Sequence, residues 1–594
     1  MRLRLMRLRF RRRLREGQQQ VGGLGQQAEQ QIDRHLFRRF ESLASIRRFL
    51  LAWLGLLLLL IGGLLYQIIN LSGYYQTLRP VPGGIYSEGV TGRFTNANPL
   101  FATSDADSTV SRLIFAGLFT YDSHDRLVGD LASDYSVDAH GTTYTVHLKP
   151  HLTWQDGQPL TSRDALFTYQ MIQNPDTQSP LRSSWQGITV SAPDARTIVF
   201  KLPSTLAAFP YNLTNGLVPQ HLLAQTAPAE LRSADFNTVH PVGAGPFAWQ
   251  AVAVKDVSDP TQAIEQVALT PFAGYARGEP KLQKFQVQVF ADPKQLAQTF
   301  TSGQLTAAEG LDTVPASVAH DNGIFKNSIL LKAANMVFFK TSAGVLADAQ
   351  VRKALVQGSN VPAIIANIGY PTRAVREPLL EGQTGYDPSL NQSSYDLKAA
   401  KQTLDSDGWT VGPKGYRVKS GQTLGFTLSA ADNVEDHLVT GDLQRQWRQL
   451  GVQLNLQPQT PADFQSSLSY HSYDAVLYGI SIGVDPDVFV YWDSSQADIR
   501  SASRLNLSEW KNTTADDALE AGRTRLDPTL RTIKYKPFLQ AWQQDAPALG
   551  LYQPRLLYLT NGPVAGLPTQ AINTVTDRFD NVQNWEIHEA KVTD

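Results

Sequence analysis

The chain has 594 residues, roughly three to four times a domain of about 150 residues, so it must fold as several lobes rather than around one core. Its 42% hydrophobic and 18% charged content, with 43 glycines and 33 prolines, excludes a disordered or collagen-like chain. With no cysteine, disulfide scaffolds, thiolate metal sites, iron-sulfur clusters, cysteine nucleophiles and the lipid-modified cysteine of a bacterial lipoprotein are excluded too. The net charge of −1 conceals an asymmetry: residues 1–48 carry 13 arginines against Glu16, Glu29, Asp33 and Glu41, a local charge of +9, which leaves −10 for the remainder.

An arm of that composition suits nucleic-acid phosphates or anionic lipid head groups, and the next segment decides between them. Residues 49–69 read FLLAWLGLLLLLIGGLLYQII without a charge. At about 1.5 Å per residue, a helix of that length crosses a hydrocarbon core of about 30 Å. Arg47 and Arg48 precede it, so the positive-inside bias places the N-terminus in the cytoplasm and the chain after Asn70 outside. The rival is a cleaved signal peptide, whose apolar region is normally about 7–15 residues long and ends in a small-residue cleavage site. LSGYYQ offers no such site. We therefore expect a single-pass cell-membrane protein with an uncleaved anchor at 49–69 and a basic cytoplasmic arm at 1–48. The arm's partner is the lipid bilayer and not nucleic acid; MRLRLMRLRFRRRLR offers a cationic amphipathic surface, and the Gln/Gly stretch 18–31 reads as a flexible joint.

Pro80, Pro82 and the glycine pair 83–84 make residues 70–84 an extended linker. The rest contains no second apolar run long enough to span a bilayer. TYTVHL places Tyr144, Val146 and Leu148 on one face, and FQVQVF does the same with Phe285, Val287 and Val289, which predicts half-buried strands. Leu424, Phe426 and Leu428 alternate in the same way. A helical run with Val434, Leu438, Leu443, Trp447 and Leu450 follows, and then a second alternation at Val452, Leu454 and Leu456. Strand, helix and strand make a parallel βαβ unit. A helix at 463–468 and the strand YDAVLYGI come next, so the C-terminal half reads as an open α/β lobe. Ligands of such lobes favour the crevice beyond the carboxyl ends of the strands, here residues 479–487. Asp348 is placed to cap a helix with Val351, Ala354 and Leu355 on its apolar face and to pair with Arg352 one turn on. Gly243, Gly245 and Pro246 suit a turn entering a strand.

In order and spacing, these pieces resemble solute-binding protein family 5, the extracytoplasmic oligopeptide and dipeptide receptors of ABC importers. The similarity runs from NPLF at Asn98 through VSRLIFAGLFTYD, LVGDLASDYSVDAHGTTYTVHLKPHLTWQDGQPLTSRDALFT, HPVGAGPFAW, GYARGEPKLQKFQVQVF, DAQVRKALVQGSN, SYDLKAAKQTLDSDGW and YDAVLYGISIGVDPDVFV to DAPALGLY at Asp545. It implies an α/β, two-lobed periplasmic-binding-protein-like fold of type II with an extra N-terminal subdomain, preceded by one transmembrane helix. Residues 85–335 would form lobe I with a subdomain inserted at about 125–225, 336–554 lobe II, and 555–594 the return to lobe I. The implied function is that of a membrane-anchored, monomeric substrate-binding protein that closes around a peptide or other small solute and delivers it to ABC permease subunits, without cofactor or metal.

Two segments match the family's binding strands by position: Thr103, Ser104 and Asp105, and Gly479, Ile480, Ser481, Ile482 and Asp485. The sequence departs from the family where peptide-binding relatives usually carry an aspartate for the ligand's α-ammonium group, since that position is Ile482, which cannot hold a cation. Asp485, Asp487 and Asp105 are the candidate substitutes, with Asp485 alternatively a cap for the next helix ahead of Pro486. Phe339 is followed by Lys340, and Asn360 stands where the family commonly has Asp.

Gly479 to Gly483 also spell G-x-S-x-G after a strand, the setting of a hydrolase nucleophile. A triad needs a later acid and histidine, and His588 is the only histidine downstream, so a serine hydrolase using Ser481 is set aside and no enzyme is expected. His147 and His151 are four apart, but Pro150 and a strand pattern deny them a helical face for zinc. Neither H-E-x-x-H nor a P-loop is present. The remaining rival is a receptor fold used as a sensor or adhesion module without a permease.

Overall fold

The computed structural model describes residues 47–74, 76–122, 124, 126–255, 263–501 and 503–593; residues 1–46 of the basic arm, with the 18–31 joint, lie outside them. The chain divides into two units, residues 1–79 with 589–594, and residues 80–588. In the first, Arg47–Tyr74 is one helix of 28 residues. Its stretch Phe49–Gln67 has a mean hydropathy of 2.4 and none of it is buried. The helix continues past the apolar run to Tyr74, and the strand Gln76–Val81 then pairs with His588–Thr593.

The second unit has the two-lobed α/β architecture. Lobe I is built on a seven-stranded sheet in the order Ile324–Leu330, Arg555–Asn561, Ala307–Ala308, Ile85–Thr91, Lys284–Phe290, Ile264–Pro271 and Phe247–Lys255. An inserted four-stranded antiparallel sheet, ordered Ala132–Val137, Thr143–Leu148, Thr197–Lys201 and Thr189–Asp194, shares its core. Tyr144, Val146 and Ile198 of the insert belong to one buried cluster with Tyr86, Phe285 and Trp585 of the main sheet. The alternation read in 143–148 and 285–290 places Tyr144, Val146 and Phe285 inward, while residues 287–290 are buried on both faces of their strand. Gly243 and Gly245 lie directly against the backbone of Ile114, where a Cβ would collide. Gln155 bonds across that contact, accepting from Gly243 N at 2.9 Å and donating to Ile114 O at 3.0 Å.

Lobe II is a five-stranded sheet ordered Gln453–Gln459, Gly425–Ala431, Ala475–Ser481, Ala333–Phe339 and Ala548–Tyr552. Gly425–Ala431 is parallel to both its neighbours, with the helix Val434–Gln449 crossing between it and Gln453–Gln459. Each face has its own core, because alternate residues point to opposite sides. Val337, Phe339 and Leu477 join one cluster, while Met336, Phe338, Val476 and Ile480 join the other. Asp348 caps the helix Ala349–Gln357 by accepting from Gln350 N at 2.9 Å. Arg352 does not pair with it. That side chain is buried and donates to four carbonyls, among them Asp545 O at 2.7 Å at the end of the helix Pro528–Asp545, where the helix dipole favours a cation.

The chain passes between the lobes twice, at Leu330–Ala333 and Tyr552–Arg555, and the crossings lie side by side: Leu331 N donates to Pro554 O at 2.9 Å, and Gln553 Nε2 to Leu331 O at 3.2 Å. Two short adjacent connections, running in opposite directions, form a hinge, which lets the lobes rotate with little change inside either.

In lobe I, a buried ion pair ties the C-terminal segment to the sheet. Arg578 and Glu88 are both wholly buried, with Arg578 Nη2 2.5 Å from Glu88 Oε1. Tyr558 donates to the other carboxylate oxygen at 2.7 Å and shares its hydroxyl with Tyr86. Replacing Arg578 with Met leaves Glu88 charged and unpaired, at an expected cost of about 3–5 kcal/mol, read as a lower urea midpoint; Glu88→Gln in the same chain should recover much of it.

Candidate functional site

A cleft of about 590 Å³ opens between the inserted subdomain and lobe II, with hinge residue Lys332 among its lining residues. One wall carries Tyr135, Tyr144 and Tyr211; the other carries Gln383, Val484, Asp485 and Arg531. Its size is that of a small-molecule or short-peptide site. The tyrosines are held from behind: Tyr144 rests 4.9 Å from the Phe209 ring, and Tyr211 stacks on Tyr121 at 6.3 Å. Burial, with smaller effects from Tyr135, Asp138 and Asp485, pushes the Tyr144 hydroxyl up to about 12, so it stays protonated, and it donates to Leu206 O at 3.3 Å.

The lobe II wall is fixed by hydrogen bonds that converge on the turn after the strand Ala475–Ser481. Ile482 N and Gly483 N both donate to Lys332 O, at 2.9 and 3.0 Å, and Gln383 Nε2 donates to Gly483 O at 2.6 Å. Gly483 has φ +79°, a left-handed conformation that favours glycine. The turn is therefore bolted to the hinge, and any rotation there is felt at Val484 and Asp485.

Asp485 does not cap a helix. The short helix Phe489–Trp492 has Val488 at its N-cap with no side-chain bond. Asp485 instead makes a two-pronged pair with Arg531, Oδ2 to Nη1 and Oδ1 to Nη2 each 2.6 Å, with both side chains at most 7% exposed. Asp487, two residues on, pairs with Arg523 at 2.9 Å. Both carboxylates are thus neutralised, and the cleft has no unpaired acid from the DPD segment to hold an ammonium group.

Of the sequence-matched residues, Asp485 lines this cleft. Thr103, Ser104 and Asp105 are exposed, and Ser104 caps the helix Asp105–Ile114 by accepting from Asp107 N at 3.1 Å. Ile480 and Ile482 are buried in the lobe II core, whereas Gly479 and Ser481 are exposed on the opposite face. On one side, Gly479 to Ser481 pair with Ala333 to Asn335. On the other side, Gly425–Ala431 reaches only Ala475 and Val476, so no described strand pairs with residues 477–481 there. Tyr491 OH donates to Ser481 O at 2.8 Å. Ser481 is the last residue of its strand, and a loop rather than a helix follows it, unlike a nucleophile elbow.

Sequence reasoning did not find Tyr135, Tyr211, Gln383 or Arg531. They come from four separate stretches and carry no local pattern; only the folded chain brings them together.

Near the cleft, Glu377 is fully buried and accepts from Asp387 N at 3.2 Å, bracketing the loop that carries Gln383. Burial pushes its carboxyl up to about 8, and Glu309 and Asp580 up to about 7, from the same cause. A folded-state value above the ordinary 4.5 means that the native state holds a proton the unfolded chain has lost. Stability is therefore expected to fall as pH rises from about 4.5 to about 8. Melting curves at the two ends should show the higher midpoint in acid, and Glu377→Gln should flatten the difference; a midpoint that rises with pH would contradict this.

The geometry defines a class: a two-lobed protein with a hinge and a cleft at the meeting of its lobes. The chain matches the family described as bacterial extracellular solute-binding proteins, family 5, over residues 126–501, and it belongs to that family. It is 26% identical over 79% of its length to an ABC transporter peptide-binding protein of Brucella ovis, of which the match covers 86%. It is 23% identical to the oligopeptide-binding protein AppA of Bacillus subtilis, over 82% of this chain and 89% of that one. Among solved structures it is similar to AppA in complex with a nonapeptide, with a TM-score of 0.69 at 21% identity over 86% of this chain and all of that one. NikZ of Campylobacter jejuni, in complex with Ni(L-His), gives a TM-score of 0.71 at 22% identity over 84% of this chain and 99% of that one. The relatives are substrate-binding proteins, and this chain is a binding protein rather than an enzyme.

Proposed function

We propose that the chain is a membrane-anchored, extracytoplasmic receptor that binds a peptide between its lobes and delivers it to an ABC permease. The observation that carries the peptide reading is the strand edge at residues 477–481, which no described strand covers and where Gly479 leaves the backbone exposed. An extended peptide added there bonds through its main chain, which suits many sequences. Thr103, Ser104 and Asp105 would meet the ligand from lobe I, as their positions in the family pattern suggest. The peptide-binding relatives named above point the same way.

The neutralised Asp485 and the apolar Ile482 further define the ligand. With neither the apolar Ile482 nor the paired Asp485 and Asp487 free to anchor an α-ammonium group, the receptor should tolerate N-terminally blocked peptides, which a receptor with an ammonium-anchoring aspartate at that turn rejects. Anchoring is supported by the exposed apolar helix Phe49–Gln67 behind Arg47 and Arg48.

Mass spectrometry of small molecules retained by the purified chain, followed by calorimetry with free and N-acetylated forms of one peptide, tests this reading. Retained peptides, and affinities within about threefold for the two forms, are expected. Retention of a non-peptide solute alone would overturn it, and co-purification of permease subunits decides against a sensor or adhesion module.

A further inference from the structure

Beside the main cleft lies a second cavity of about 430 Å³, framed by the same two bodies. The inserted subdomain supplies Ser184, Ser204 and Asn212, and lobe II supplies Phe489, Glu520 and Arg523. The wall between the cavities is about one residue thick. Ala207 lines the first while Leu206 and Ala208 line the second; Asp485 lines the first and Asp487 the second; Leu526 lines the first and Thr524 the second. Among the described residues, that wall carries one backbone hydrogen bond between the lobes, Ala207 N donating to Arg523 O at 2.9 Å.

One main-chain donor on one lobe faces one main-chain acceptor on the other. The two satisfy each other in this structure; an extended chain that takes the place of this bond, with the lobes parted there, satisfies both again, its carbonyl accepting from Ala207 and its N–H donating to Arg523. The second cavity is equipped for such a guest. Arg523 gives Nη2 to Asp487 at 2.9 Å and stacks 4.2 Å over the Phe489 ring, and its Nε is buried with no partner among the described residues, enclosed as long as the lobes stay in contact here. The serines and Asn212 both donate and accept without imposing a charge.

We propose that the ligand is an extended chain long enough to leave the main cleft, pass between Ala207 and Arg523, and end in the second cavity. The cavity is thus a length-sensing compartment of the same site, a proposal that rests on the peptide reading above.

The test is calorimetry on the full chain in lipid nanodiscs with an uncharged Ala/Ser tetrapeptide and the corresponding octapeptide. The octapeptide should bind about tenfold more tightly, from the added hydrogen bonds. Ser204→Trp and Glu520→Trp each fill the second cavity from one wall, at exposed positions. Each should abolish the gain while leaving tetrapeptide affinity within about twofold, and that unchanged affinity also shows that the variant is folded. Equal affinities for the two peptides in the parent chain, or a gain that survives both tryptophans, would overturn the proposal. Failure of the tetrapeptide as well as the octapeptide would overturn the peptide reading itself, and this proposal with it.

Discussion

Replacing Arg531 with Met is expected to cost about 3–5 kcal/mol of stability. The reason is geometric: Asp485 and Arg531 bury each other to 7% and 6% exposure and exchange two hydrogen bonds of 2.6 Å. Without the guanidinium, the carboxylate must stay charged in a poorly solvated place or take up a proton. Urea unfolding should show the loss, and Asp485→Asn added to Arg531→Met should restore much of it, because the pair is worth less than the penalty for breaking it. The same single variant should change ligand preference. It exposes an acid in the cleft, so a peptide with a free ammonium group should gain over its acetylated form. A loss below about 1 kcal/mol, typical of a solvated surface pair, would contradict the burial argument.

Gly479→Val is expected to weaken ligand binding by about a hundredfold, the equivalent of two or three main-chain hydrogen bonds. A Cβ at this position stands on the exposed face of the strand, 2.7 Å from Asn335 Oδ1, an atom at the end of a side chain that can turn aside. The fold should survive, and the branched side chain should keep a guest from the strand edge. Calorimetry beside a melting curve separates the two effects. An unchanged affinity would mean that the ligand lies elsewhere.

Much of the scaffold was legible because its signals are local. The alternation in 143–148 and 285–290, the strand-helix-strand pattern of 424–456 and the cap at Asp348 each depend on neighbours within a few residues. What could not be read depends on distant partners. Asp485 looks like a cap until Arg531 is seen beside it, 46 residues later. Arg352 looks like a helical ion-pair partner for Asp348, but it is spent on the carbonyls of Asp545 and Ala546, while Asp348 lies 3.4 Å from Lys419. The strand Gln76–Val81 depends on a partner at the other end of the chain. The tyrosine wall comes from an inserted subdomain whose position over lobe II has no local signature. The departure at Ile482 was visible as a missing acid. Its packing in the lobe II core shows how the position is used instead.

Closure of the lobes about the hinge at Leu330–Ala333 and Tyr552–Arg555 underlies the binding reading, since a ligand moves such an equilibrium only by binding the closed form better. The absence of cysteine permits site-specific spin labels at Lys294→Cys and Lys398→Cys, exposed positions on the lobe I helix Pro293–Thr301 and the lobe II helix Leu397–Ser406. Pulsed dipolar spectroscopy of the full chain should show the distance between them shorten and its distribution narrow when saturating peptide is added. The same distribution with and without peptide would mean that the two halves do not close on a guest.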